Sequence, residues 1–214
     1  MRAMVSAVLS IALLGGAMAQ AQEMSRQQAL RSLVKSDAQS RQAAASRLGE
    51  IGTMGDVAAL VKALRDPDAD TRANAEQAMW SIWARSGDPD VDTLYQTGVE
   101  QMTAGDLPAS IATFTRIIEL KPDFAEGWNK RATLYFLAGD LRKSLADCAE
   151  VMKRNPYHFG ALAGYAQIYI QLENYDRALE YSRRALEVNP NLEGVRQSIE
   201  VLERLHEQQR RRMI

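Results

Sequence analysis

Residues 121–156 read KPDFAEGWNKRATLYFLAGDLRKSLADCAEVMKRNP. Two apolar-periodic runs flank a short break at Ala138-Gly139-Asp140, and Pro156 closes the second run. A proline cannot donate to a helix ladder, so a helix must stop before it. An aspartate after a small-residue turn can accept a hydrogen bond from the free N–H groups of a first helical turn, worth about 1 kcal/mol. The stretch therefore predicts two antiparallel helices joined by a tight turn.

The same punctuation recurs along the chain. Pro122, Pro156 and Pro190 stand 34 residues apart, as do Asp106, Asp140 and Asn174. Gly98, Ala132 and Ala166 form a third series, and Leu94, Trp128 and Leu162 a fourth. After each cap comes an apolar stripe: Ile111, Phe114, Ile117 and Ile118; Leu145, Cys148, Val151 and Met152; Ala178, Leu179, Ala185 and Leu186. The small residues of the third series fall midway along the preceding helix. A larger side chain where paired helices approach would overpack the contact, at about 1–3 kcal/mol. Repeats in one register mean a solenoid in which each unit buries its apolar face against its neighbours.

In this register the sequence resembles the tetratricopeptide repeat family over 91–190, as three units. The second carries the fullest set, with Trp128, Ala132, Tyr135, Gly139, Ser144, Val151 and Pro156, while the first has Gln101 where an aromatic is usual. After Pro190, residues 191–214 carry Val195, Ile199, Leu202 and Leu205 on one stripe, with charges opposite and a basic Arg210-Arg211-Arg212 tail. A solenoid needs such a half-wet end, so this is expected to be a capping helix. The basic tail is expected to be solvated.

Residues 22–87 show a weaker repeat. Ser36 to Ala44 aligns with Pro67 to Ala75 at an offset of 31, which places Arg41 opposite Arg72 and Leu48 opposite Met79. This segment is similar to short HEAT-like repeats of the phycobilisome-lyase type. There are too few units to stand alone, so the segment is expected to share a core with the following repeats. Trp80 and Trp83, three apart on one helical face, are expected to bury that joint, the alternative being an exposed partner contact. The fold class is thus an all-α superhelix of helical hairpins.

Residues 1–21 have the form of a secretory signal: Arg2, an apolar run from Met4 to Leu14, then Ala17-Met18-Ala19 and Ala19-Gln20-Ala21 as A-x-A cleavage patterns. The run is short of the roughly 20 residues a membrane-spanning helix needs. The expectation is an exported protein of a bacterial periplasm, without a membrane span once the signal is removed. Cleavage after Ala19 or Ala21 and retention as an anchor both stay open.

Composition excludes several chemistries. The net charge is −1, without the basic excess of a nucleic-acid binder. Cys148 is the only cysteine, so neither an intramolecular disulfide nor a thiolate metal cluster can form. His158 and His206 fall in different units, and His158 reads as a helix-end residue. Cys148 lies on a core stripe, Asp140, Asp147 and Glu150 have capping or surface roles, and no phosphate loop is present. The reading is no enzyme, no cofactor and no metal.

The resemblance implies a concave groove lined by the first helix of each pair. It assigns there Tyr95, Val99 and Met102, then Asn129, Thr133 and Phe136, then Gln167 and Ile170. The family's carboxylate clamp is not supported, since Tyr95, Val99, Gly160 and Gly164 occupy most of its places, although Asn129 and Lys130 remain. An apolar groove with amides suits a peptide segment of a protein partner. The expected function is a scaffold or adaptor. The alternatives are a homo-oligomerising envelope subunit and a pigment-lyase-like HEAT protein.

Overall fold

The computed structural model describes residues 24–212. The expected export signal of residues 1–21 lies outside the described residues. Eleven α-helices are present among the described residues. α1 (Arg26–Ser32), α2 (Ala38–Ile51), α3 (Val57–Ala63) and α4 (Ala69–Trp83) form an N-terminal module. Three hairpins follow: α5 (Pro89–Thr103) with α6 (Leu107–Leu120), α7 (Ala125–Leu137) with α8 (Leu141–Arg154), and α9 (Phe159–Gln171) with α10 (Tyr175–Val188). α11 (Glu193–Arg212) ends the array, and none of the described helices is long and apolar enough to cross a membrane.

The repeat register appears in the structure as local geometry. Asp106, Asp140 and Asn174 accept from the backbone N–H groups of Ala109, Lys143 and Arg177, each at 3.1 Å. The residue before each cap is left-handed, with φ +77° at Gly105, +77° at Gly139 and +54° at Glu173. α6, α8 and α10 end two residues before Pro122, Pro156 and Pro190. Within the hairpins, Ser110 Oγ donates to the Gly98 carbonyl and Ser144 Oγ to that of Ala132, both at 2.8 Å. These bonds fix the height at which paired helices cross. The first hairpin opens at Pro89, earlier than 91, because Asp88 caps Asp90 and Val91 and the proline at the first helical position gives up only an N–H that lacks a helical partner anyway. α11 closes the array through Leu202, 2% exposed, against Ala178 and Leu179.

The 31-residue similarity also has a structural counterpart. Asp37 and Asp68 cap α2 and α4 through the N–H groups of Ser40 and Thr71. Arg41 reaches the carbonyls of Lys35 and Ser36, and Arg72 those of Asp66 and Pro67. Arg41 also grips Asp66 at 2.7 and 2.8 Å.

The N-terminal module meets the hairpins largely along the loops that join one pair to the next. Trp80 and Trp83 pack on His158 and Phe159 at the start of α9, with Trp83 stacked on the imidazole at 4.5 Å. Phe159 is buried in the module's own core. Farther on, Asn189 donates to Glu76 at 2.9 Å, Asn191 to the Leu64 carbonyl at 2.8 Å, and Arg65 to the carbonyls of Glu187 and Val188. The two tryptophans thus bury a joint, as their spacing predicts. That joint reaches the third hairpin.

Candidate peptide-binding groove

Between α7, α8 and α9 lies a cavity of about 180 Å³. Asn129, Thr133 and Phe136 reach it from α7, Cys148 from α8, and Gly164 and Gln167 from α9. The register explains why it opens here. Gly160 and Gly164 stand 34 residues after Glu126 and Lys130, so two large charged side chains are replaced by none. A Cβ at Gly164 would come no nearer than 3.8 Å, to Cys148 Sγ. Gly160 has a different cause, because a Cβ there would lie 2.6 Å from the Trp80 ring.

Four of the eight residues assigned to the groove, Asn129, Thr133, Phe136 and Gln167, converge on this cavity. Gln167 is exposed, and its amide has no protein partner among the described residues. The other four lie elsewhere. Tyr95 is 6% exposed, with its ring edge-on to Phe114 and Phe124 in the core of the first hairpin. Burial, followed by the adjacent Glu126 charge and hydrogen bond, pushes its phenol upward. Val99 and Met102 are half-buried against that same core, and Ile170 packs toward the capping helix beside Leu179 and Leu202. Cys148 is 3% exposed and burial pushes its thiol up to about 12, so it lines the cavity as an apolar wall.

A buried polar cluster that includes Asn129 of the cavity wall has no signal in the sequence. Glu126, 2% exposed, accepts from Asn129 Nδ2 at 3.2 Å and lies 3.3 Å from Lys130 Nζ. His158, fully buried, completes the set. Its Nδ1 accepts from the Ala161 N–H at 3.0 Å, so the ring proton sits on Nε2 and is donated to Glu126 at 2.8 Å. Burial alone pushes Glu126 up. His158, Lys130 and Asn129 together outweigh it, and the carboxyl lies below its ordinary range. Asn129 and Lys130, the remaining candidates for a carboxylate clamp, are therefore occupied by the chain's own carboxylate.

The tetratricopeptide repeat family model matches residues 135–200. A TPR repeat-containing protein of Rhizobium etli is 37% identical over 131 residues, covering 61% of this chain and 63% of that protein. Hsp70-Hsp90 organizing protein 1 of Glycine max is 26% identical over 143 residues, which is 64% of this chain and 25% of that protein. The match thus spans under two thirds of the first relative and a quarter of the second. Among solved structures, the first TPR domain of Spaghetti (RPAP3), bound to an HSP90 peptide, superposes with a TM-score of 0.52 at 18% identity, over 53% of this chain and 90% of that one. The P58(IPK) TPR domain gives 0.52 at 18% identity, over 86% and 52%. The chain is thus similar to tetratricopeptide-repeat proteins over residues 135–200 and across its match to the Rhizobium etli protein, and the solved structures share its fold of helical hairpins.

Proposed function

We propose that this chain is a non-catalytic adaptor that holds a peptide segment of a protein partner across α7 and α9. The observation that carries this reading is the 180 Å³ cavity with Gln167 free at its rim. Its size suits one apolar side chain, and the Gln167 amide can exchange hydrogen bonds with the bound backbone. Glu126 already engages Asn129 and Lys130, which disfavours a terminal carboxylate at this point and favours an internal segment. The leader-like residues 1–21 support an exported setting.

The test is selection of binding peptides from a random library, followed by calorimetric titration of one peptide into wild type and Gly164→Leu. Leucine at this position projects into the cavity while the helix stays intact. Loss of at least about tenfold in affinity with an unchanged circular dichroism spectrum supports the reading. Equal affinity refutes it.

A further inference from the structure

A second cavity, of about 190 Å³, lies where the N-terminal module meets the loops after α6 and α8. Trp83 and Asn155 both line it. They are 3% and 1% exposed, and Trp83 Nε1 and Asn155 Nδ2 are buried donors without a partner among the described residues. The Asn155 amide cannot simply be turned over, since its Oδ1 accepts from the Tyr157 N–H at 3.2 Å. A buried donor left unpaired costs about 1–3 kcal/mol, so two around one space call for an acceptor.

The repeat itself shows which acceptor suits this amide. Asn189 occupies the same register position 34 residues later. Its Oδ1 likewise accepts a backbone N–H, from Asn191 at 3.0 Å, and its Nδ2 donates to the Glu76 carboxylate at 2.9 Å. At Asn155 no carboxylate accepts from the amide among the described residues.

The charge around the cavity agrees. Arg85 and Lys121 line it. Arg85 spends two donors on the Gly49 and Gly52 carbonyls, which leaves its charge unneutralised, and Lys121 has no ion pair among the described residues. Arg154 is held by Glu150, and Asp123 is the one acidic lining residue. Ala125, at the start of α7, lines the wall as well, and that helix begins without a side-chain cap.

We infer that this junction cavity binds a small oxyanion, a carboxylate or a phosphate, between the Trp83 indole and the Asn155 amide with Lys121 and Arg85 supplying the charge. The site is separate from the groove and does not depend on it. The test is titration of the full chain with sodium phosphate and with sodium succinate, against sodium chloride of matched ionic strength. The Trp83 indole N–H resonance is followed, assigned by its loss in Trp83→Phe, with Trp80 as internal reference. A saturable shift of Trp83 with an affinity on the order of millimolar is expected. Saturation by phosphate alone, succinate alone or both supports the site and identifies the anion it takes.

Asn155→Asp keeps the oxygen that accepts from Tyr157 and places a carboxylate where the anion would sit. It should weaken binding at least about tenfold, and Lys121→Gln should weaken it severalfold. A shift that grows linearly and equally with chloride would mean that the donors are met by water, and overturns the inference. So does undiminished affinity in Asn155→Asp, or in Lys121→Gln should the aspartate variant not fold.

Discussion

The Glu126–His158 contact can be measured by a double-mutant cycle. Glu126 is 2% exposed, His158 is fully buried, and their bond is 2.8 Å. A hydrogen bond to a charged group contributes about 1.5–3 kcal/mol, and breaking a buried ionised network from one side costs about 3–5 kcal/mol. Glu126→Gln keeps the shape and one acceptor oxygen while removing the charge that holds Lys130 and Asn129. His158→Leu installs the residue found 34 positions on, Leu192, and also deletes the acceptor for the Ala161 N–H, worth about 1 kcal/mol. Each single variant should lose about 2–4 kcal/mol in urea unfolding followed by circular dichroism. The double variant should lose about 1.5–3 kcal/mol less than the two together, because the cap and the stacking on Trp83 are removed in both legs of the cycle. Additivity to within about 0.5 kcal/mol would show that Glu126 is held by Lys130 and Asn129 alone, and would refute an energetic role for the His158 hydrogen bond.

The pH dependence gives a second check on the same pair. Glu126 is depressed in the folded chain. The stability it contributes is therefore fully present above the unfolded carboxyl value near about 4.3, and is lost as the pH falls through the lower folded value. The gap in stability between wild type and Glu126→Gln should be constant from neutral pH down to about 5 and close in stronger acid. A gap that widens on acidification contradicts the assignment.

Three further substitutions follow from the register. Gly98→Ala puts a Cβ 2.8 Å from the Phe114 ring, so overpacking should exceed the gain in helix propensity, for a net loss of about 1–2 kcal/mol by thermal unfolding; a stabilised variant would refute the close-approach argument. Gly164→Ala meets only Cys148 Sγ, at 3.8 Å, so the same chemical change should stabilise the fold by up to about 1 kcal/mol; a lowered melting temperature would show that the cavity is smaller than described. Glu173 has φ +54° where Gly105 and Gly139 have +77°, so Glu173→Gly should relieve backbone strain and gain up to about 1 kcal/mol; a loss would mean that the glutamate side chain stabilises the turn by more than the strain.

The hairpins were legible because their signals are local. Asp106, Asp140 and Asn174 cap at once, and the prolines stop helices whatever the rest of the chain does. The groove was half legible for a reason the register exposes. Tyr95 and Asn129 occupy equivalent positions, as do Met102, Phe136 and Ile170, so spacing alone treats them alike. Beside α5 the buried Tyr95 lies against Glu126, which also pairs with Lys130; on α9 the positions matching Glu126 and Lys130 are Gly160 and Gly164. The face of a helix follows from its period, but whether that face is open depends on residues one repeat away. The buried Glu126–His158 bond spans 32 residues and the Asn189–Glu76 bond 113, and neither has a local pattern to announce it.

The N-terminal module also changes what the repeat array can do. A solenoid touches only its neighbours and bends easily along its length. Here one module contacts the loop regions after α6, α8 and α10: Trp83 and Arg85 share a cavity with Lys121 and Asn155, Trp83 stacks on His158, and Leu64 and Glu76 hold Asn191 and Asn189. His158 makes one of these contacts and a second within the array. Through Nε2 it joins the start of α9 to Glu126 of α7, and through its ring face it lies on Trp83 of the module. Spreading α7 from α9 would break the first contact, and shifting α9 away from α4 would break the second. The width of the cavity between α7 and α9 and the seating of the module are therefore tied to one buried imidazole, so bending the array there requires giving up a hydrogen bond to a buried carboxylate.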